Sequence, residues 1–449
     1  MINLSLSKTL LFLVLVILCS TSAFAQKDLL QSGPMVGYST MKEVMLWAQT
    51  NKTATVHFEY WNKADVNQRY LTDKVKTIKT DAFVARCVAD QLEPGCQYEY
   101  QLYINNKSVK RPYKLQFETQ TLWQWRTDAP DFSFGTGSCA FINEEKYDRA
   151  GKPYGGDYQI FKDIYKKQPQ FFLWLGDNVY LREADWNSVT GINHRYTHTR
   201  STPEMQAMLG SMHHYAIWDD HDYGPNDSDR SYHLKKETLK TFKNFFANPN
   251  YIFDEGTVGT FQWADCDFFL TDNRYWRTPN NRDDIVDHDI LGEEQMQWLL
   301  DALSNSGAPF KFVVMGGQFI SPLKRYEKHA NIAPKERSEL IRAIERLKIE
   351  GVVFISGDVH ITELSKLEID GAYPLYDLTV SPLTSGIAGK GAEENPTQVE
   401  GTLVRERNYS LMKVSGKRGE RVLTMTIYNS NGKEVWTKQI HASELKFEK

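Results

Sequence analysis

The sequence predicts an α/β protein built in two parts, a small β-sandwich followed by a layered domain whose sheets are covered by helices. Three observations carry this prediction. Residues 34–119 alternate apolar and polar side chains at period two between polar turns. Beyond Leu122 the rhythm becomes strand, helix, strand. Several apolar runs there, such as Phe171-Phe172-Leu173-Trp174-Leu175, have no polar face at all, as strands buried on both sides require. The expected boundaries are residues 1–25, 26–121 and 122–449, within a chain of 449 residues that has ample material for two or three domains of ~100–200 residues each.

The first segment is an export signal by its pattern. Lys8 precedes an apolar run over residues 10–18, and Ser22-Ala23-Phe24-Ala25 then offers small residues for cleavage after Ala25. The run is shorter than the ~20 apolar residues a membrane span needs. No later stretch is longer, so the mature chain is expected to have no transmembrane segment and to be secreted or periplasmic. That compartment permits disulfides, and Cys87 with Cys96 is the one pairing that fits; the sequence leaves open whether it forms. Cys266 sits in an apolar segment and reads as a core thiol.

In the sandwich, strands are expected at Val44-Met45-Leu46-Trp47, at residues 55–61, and at residues 96–104 after the turn Leu92-Glu93-Pro94-Gly95. Tyr98, Tyr100, Leu102 and Ile104 fall on one face of the last. This Leu-x-Pro-Gly-x-x-Tyr-x-Tyr arrangement resembles a fibronectin type III domain. In the layered part, strands are expected at residues 132–137, 171–175, 215–218, 268–270, 312–315 and 352–355, and a helix at residues 157–167. Met296, Leu299, Leu300 and Leu303 at helical spacing, and residues 334–348 behind a Pro start, predict two further helices. Residues 403–441 return to β alternation, as an edge or second sheet of the same domain.

Charge is nearly balanced, 53 Lys and Arg against 57 Asp and Glu, so no basic field points to nucleic acid and no sequence-specific nucleic-acid partner is expected. The chemistry lies where the apolar runs end. They lead into Ser138-Cys139, Gly176-Asp177-Asn178-Val179-Tyr180, Asp219-Asp220-His221-Asp222 and Ser356-Gly357-Asp358-Val359-His360. Ligands in layered α/β folds collect beyond the carboxyl ends of strands, so these clusters are expected to converge on one crevice. Converging carboxylates need cations, and Asp, His, Cys and Tyr together supply carboxylate, imidazole, thiolate and phenolate donors. Two ions about 3.5–4 Å apart, bridged by one carboxylate, can clamp a phosphate and activate water. Asp177 is the expected bridge.

Gly-Ser-Cys, Gly-Asp-x-x-Tyr, Trp-Asp-Asp-His-Asp, Asp-x-Arg-x-x-Arg and Gly-Asp-Val-His, in this order behind a β-sandwich, resemble the PhoD-like alkaline phosphatases of the calcineurin-like metallophosphoesterase superfamily. The resemblance implies a layered α/β/β/α metallophosphoesterase domain behind the fibronectin-like one, and a phosphatase or phosphodiesterase activity. It implies Fe(III) held by Cys139, Asp177, Tyr180 and His360, and Ca2+ held by Asp177 again with Asp220 and Asp358. His221 would act on the leaving group and Arg274 would clamp the phosphate, with a salt bridge to Asp272 as its structural alternative. Asn226 would assist at the phosphate or second metal, and Asp219 would support the loop or add a ligand. Gln318 stands where many metallophosphoesterases place a metal-binding His and offers a neutral amide. The family commonly carries a twin-arginine signal, whereas residues 1–25 hold Lys8 alone and resemble the general secretory type, so metal would be loaded outside the cytoplasm.

The expected substrate is a phosphate-ester small molecule, a nucleotide or a phospholipid headgroup. A purple acid phosphatase is the second enzymatic reading, against which Cys139 and the Asp358-Val359-His360 pattern count. A non-catalytic surface binding protein on the same fold is the third, and it gives no reason to bury mutually repelling carboxylates. His213 and His214 are adjacent on a strand and point to opposite faces, so both read as structural. His194 and His198, four apart on an expected helix, read as a polar or substrate-facing pair rather than a metal site.

Overall fold

The computed structural model describes residues 29–283, 287–324, 326–389 and 394–448. The expected signal peptide lies outside these residues. The N-terminal region carries β1 (Leu30–Ser39), β2 (Val44–Thr50), β3 (Thr55–Asn62), β4 (Asp65–Leu71), β5 (Val75–Lys76), β6 (Val84–Ala89), β7 (Gln97–Ile104), β8 (Lys107–Val109) and β9 (Gln116–Glu118). There follow β10 (Phe132–Gly137), α1 (Gln159–Lys167), β11 (Phe171–Leu175), α2 (Val189–Arg200), α3 (Gln206–Leu209), β12 (His213–Ile217), α4 (Asp220–Tyr223) and α5 (Lys235–Phe245). The next stretch holds β13 (Gly259–Trp263), β14 (Cys266–Leu270), α6 (Glu293–Asn305), β15 (Lys311–Val314), α7 (His329–Ile332), α8 (Pro334–Arg346), β16 (Val352–Ser356), β17 (Glu363–Leu367) and β18 (Leu375–Thr379). Three long strands close the chain, β19 (Asn408–Ser415), β20 (Val422–Asn429) and β21 (Glu434–His441).

These strands form three sheets. A nine-stranded sheet runs β21-β20-β19-β10-β11-β12-β1-β2-β6, a six-stranded sheet runs β13-β14-β15-β16-β18-β17, and a second six-stranded sheet is built on β4-β3-β7-β8 with β5 and β9 at its sides. The run at β11 explains the layering. Phe171, Leu173 and Leu175 enter the core shared with Phe268, Leu270, Phe312 and Val314 of the second sheet, while Phe172 and Trp174 face Ile160, Phe161, Tyr196 and Phe242 of the covering helices. A strand between two apolar layers has no side left for polar residues, and each large side chain so buried contributes ~1.5–3 kcal/mol. On the far face of the second sheet, Met296, Leu299 and Leu303 of α6 and Leu340, Ala343 and Ile344 of α8 close the fourth layer.

The N-terminal strands make a sandwich in which β7 alternates as expected, Tyr98, Tyr100, Leu102 and Ile104 all buried. The Tyr98 hydroxyl accepts a hydrogen bond from the Glu93 N–H at 2.8 Å, tying the corner to the strand. The sandwich shares a sheet with the layered part: β1 pairs in parallel with β12, Val36 opposite His213, so the nine-stranded sheet crosses the junction between residues 121 and 122. The expected C-terminal strands are the edge of that same sheet, β19 pairing with β10. Cys87 is buried in the sandwich core and Cys96 sits at its rim with Sγ 3.7 Å from Pro94 O; both thiols are free, so the one pairing the sequence allowed is not made. Cys266 is a fully buried thiol, as expected.

Candidate metal centre

The parallel strands β10, β11, β12 and β16 end on one side of the molecule, and the segment after each turns sharply to aim a side chain inward. Cys139, Asp177, Asp358 and His360 all have φ between 51° and 70°, where an L residue costs about 1–2 kcal/mol. Four such residues in three strand-end turns bring their side chains toward one place. Glycines make the approach possible. A Cβ on Gly176, itself at φ 92°, would meet the Asp219 Cβ at 2.7 Å, and one on Gly357 would meet the Ser138 Cβ at 2.7 Å.

Two groups of ligand-type side chains result. Cys139, Asp177 and His360 present donor atoms within 4.8 Å of one another, and so do Asp177, Asp220 and His221. Asp177 belongs to both. Around the first group, Cys139 Sγ lies 3.6 Å from Asp177 Oδ2 and receives the Ser381 hydroxyl at 3.1 Å. Tyr180 reaches the same place, its hydroxyl 3.2 Å from His360 Nε2. In the second group the His221 N–H donates to Asp177 Oδ1 at 3.3 Å and to Asp220 Oδ1 at 2.9 Å, and the His221 ring lies 4.3 Å from that of Tyr180, centroid to centroid. Asp222, the last residue of the Trp-Asp-Asp-His-Asp motif, faces away from these donors. Its carboxylate accepts the N–H groups of Asp219, Asn178 and Val179 at 3.0–3.2 Å and thereby clasps the two ligand-bearing turns together.

The remaining candidates divide. Asp219 is fully buried; its Oδ1 takes hydrogen bonds from Asn273 Nδ2 and from the Arg274 guanidinium, and its Oδ2 has no partner. Arg274 is buried too, and it pairs not with Asp272 by its side chain but with Asp219 and Glu327. Asp272 instead accepts the backbone N–H groups of Arg274 and Tyr275. Gln318 is buried with its amide nitrogen on Glu363 and Thr379 and its Oε1 unpartnered. Asn226 is exposed on the loop after α4. A third group was not anticipated: Asp220, Asp227 and Glu327 bring carboxylates within 4.8 Å of one another. Asp227 follows Asn226 directly, but Glu327 stands in a stretch with no motif at all.

Charge is the dominant fact of this crevice. Burial, reinforced by Asp220 and Asp219, drives the Asp177 carboxyl well above its usual range, and burial with the neighbouring carboxylates does the same to Asp358. The Cys139 thiol and the Tyr180 phenol are likewise pushed up, by burial first and then by Asp177. Asp220 is the exception. Burial raises it, but His221, Arg274, the Asp227 N–H and a hydrogen bond from Asp177 outweigh that and hold it low. Burial lowers His360 to about 4, so its imidazole is neutral and free to act as a ligand. Thiol, phenol, imidazole and carboxylates so crowded must either carry protons or share cations, and this donor mixture fits cations.

Elsewhere, His213 and His214 are structural as expected. His213 Nδ1 donates to Gly37 O and Nε2 accepts from Glu118 N–H, while His214 accepts from Trp174 Nε1 and faces Met208 O. His194 and His198 lie on α2, both directed at Glu144.

Residues 134–431 match the family described as PhoD-like phosphatase, and residues 27–122 match a domain of unknown function (DUF7800). Alkaline phosphatase D of Bacillus subtilis (strain 168) is 22% identical over 333 residues, 63% of this chain and 54% of that protein. The chain therefore spans about half the length of that curated relative. Among solved structures, that of PhoD superposes with a TM-score of 0.73 at 17% identity, covering 93% of this chain and 94% of that one. A purple acid phosphatase from yellow lupin (Lupinus luteus) seeds superposes with a TM-score of 0.67 at 11% identity over 91% of this chain and 74% of the other. At these identities the likeness is one of fold.

Proposed function

Since the chain belongs to the PhoD-like phosphatase family, we propose that it is an exported, metal-dependent phosphoesterase that hydrolyses phosphate esters at a dinuclear centre. The observation that carries the reading is the sharing of Asp177 between two donor groups of different chemistry. Cys139, Tyr180 and His360 with Asp177 would hold Fe(III); Asp177, Asp220 and Asp358 would hold Ca2+, the identities resting on family resemblance. Bound there, such ions polarise phosphoryl oxygens and lower the pKa of a bound water.

The chain's own residues do the rest. Asp177 and Asp220 set the spacing of the two groups and fix the His221 backbone between them. His221, its ring tilted 30° against that of Tyr180, serves the leaving oxygen. Arg274 keeps a positive charge beside Asp220, held in place by Asp219 and Glu327, and so serves the phosphoryl oxygens by its field. Asp219 acts as the support of Arg274. We assign Asn226 and Gln318 subsidiary roles, an exposed amide at the rim and a buried unpartnered carbonyl.

The N-terminal sandwich is assigned a fibronectin type III-like character on its Tyr98 corner, with residues 26–121 and 122–449 as the two domains. Residues 1–25 would direct export. Among the described residues no helix is long and apolar enough to cross a membrane. Small phosphate esters, nucleotides or phospholipid headgroups are the proposed substrates. The purple acid phosphatase reading draws on fold likeness, but the Cys139 thiol in the first donor group favours the PhoD-like assignment. The test is turnover of aryl phosphate mono- and diesters by the mature protein and by His221→Ala and Cys139→Ala. Both variants are expected to lose activity; unchanged turnover in both overturns the proposal.

A further inference from the structure

A side chain outside the assigned ligands touches the centre from the solvent side. Tyr154, on the loop between β10 and α1, places its hydroxyl 3.1 Å from His360 Nδ1. The other ring nitrogen, Nε2, is the one that faces the Tyr180 hydroxyl and the Ser385 hydroxyl, each at 3.2 Å. A neutral imidazole carries one N–H and one lone pair, so the nitrogen that binds a metal ion and the nitrogen that carries the proton must be different.

The loop is built to hold this pose. Asn143 and Gly155 exchange two hydrogen bonds, Nδ2 to Gly155 O at 2.6 Å and Gly155 N–H to Oδ1 at 2.9 Å. Gly156 N–H donates to Thr384 O at 3.0 Å. Arg407 straps the two sides together, donating to Asp157 Oδ2 at 2.7 Å, Ser385 O at 3.0 Å and Tyr154 O at 3.3 Å. Below the Tyr154 ring lies Gly386, where a Cβ would come within 2.4 Å of a ring carbon, so a larger residue there would displace the tyrosine. Phe141 packs against both tyrosines, its ring centroid 5.0 Å from that of Tyr154 and 5.0 Å from that of Tyr180.

We infer that Tyr154 is a positioning residue: its hydroxyl accepts the Nδ1 proton of His360 and so leaves Nε2 directed at the donors Cys139, Asp177 and Tyr180. Outer partners of this kind fix the tautomer and the ring plane of a ligating histidine. The inference rests on the metal-centre reading proposed above.

The experiment compares wild type and Tyr154→Phe as full mature chains. Metal content is measured after dialysis against graded EDTA, beside kcat and KM for an aryl phosphate ester and the thermal unfolding temperature. Tyr154→Phe keeps the ring packing and loses the acceptor, so it is expected to release metal at about 10–100-fold lower EDTA, with kcat reduced and KM unchanged. Equal retention by wild type and Tyr154→Phe overturns this inference alone. A loss in Tyr154→Phe that comes with an equal fall in the unfolding temperature of the metal-free chain marks a structural defect instead of the hydrogen bond and overturns it as well. Wild type that holds no metal overturns the reading of the centre itself, and this inference with it.

Discussion

At the scale of single residues, the crevice sets buried like charges against two buried guanidiniums, Arg274 and Arg277, which share Glu327. Arg274 is enclosed between Asp219 and Glu327, with side-chain exposures of 1% for Arg274 and Asp219 and 10% for Glu327. Removing Arg274 leaves the buried Asp219 with the neutral Asn273 amide alone, while Glu327 keeps Arg277 and Asn280. Arg274→Met is therefore expected to lower the unfolding free energy by ~3–5 kcal/mol, read by urea denaturation. A variant as stable as wild type would show that solvent reaches the two carboxylates. The ligand-type residues were legible because each ends an apolar run and belongs to a short motif. Their partners were not. Nothing near Glu327 distinguishes it in sequence, and its approach to Asp220 and Arg274 exists only after the chain has folded. The same holds for Tyr154, and for the pairing of Arg274 with Asp219 in place of the sequence-adjacent Asp272.

At the scale of elements, β12 shows how a polar start is built into a buried central strand. His213 and His214 each use both ring nitrogens, one as acceptor, which requires the neutral ring. Burial lowers His213 to about 4 and His214 to about 3 from an ordinary 6.5. Because the folded values lie below the unfolded one, the unfolded chain binds protons first as pH falls. The stability is thus full above 6.5 and is lost as pH falls through the window down to about 4 and 3. In free energy, the two histidines contribute on the order of 3 and 5 kcal/mol, respectively, to that loss. His214→Gln is expected to flatten the fall in urea midpoint between pH 7 and pH 4; an unchanged slope would contradict this assignment. Strands such as β7 and β11 were readable from alternation or from its absence. The exposed, polar β4 was not, since an edge strand with one half-buried residue carries no pattern.

At the scale of the whole molecule, the sequence suggested two domains in series, and the structure joins them through one sheet. The β1–β12 pairing is parallel and separated by about 180 residues of chain, so its register depends on tertiary packing that no local pattern reports. Met35 and Trp47 of the N-terminal strands lie in the core beneath the helices, and the Trp47 indole donates to Asn244 O at 2.9 Å. A chain beginning at residue 122 would expose the β12 edge and open that core. It is expected to lack a cooperative thermal transition; a soluble fragment that unfolds cooperatively would contradict the shared-sheet account.

The central claim, one carboxylate serving two donor groups, is tested most directly by metal stoichiometry. Elemental analysis of wild type, Cys139→Ser and Asp177→Asn, paired with turnover of an aryl phosphate ester, separates the alternatives. The account predicts two ions in wild type, selective loss of the first in Cys139→Ser, and loss of both with turnover in Asp177→Asn. Asp177→Asn that keeps wild-type metal content and full turnover would contradict it.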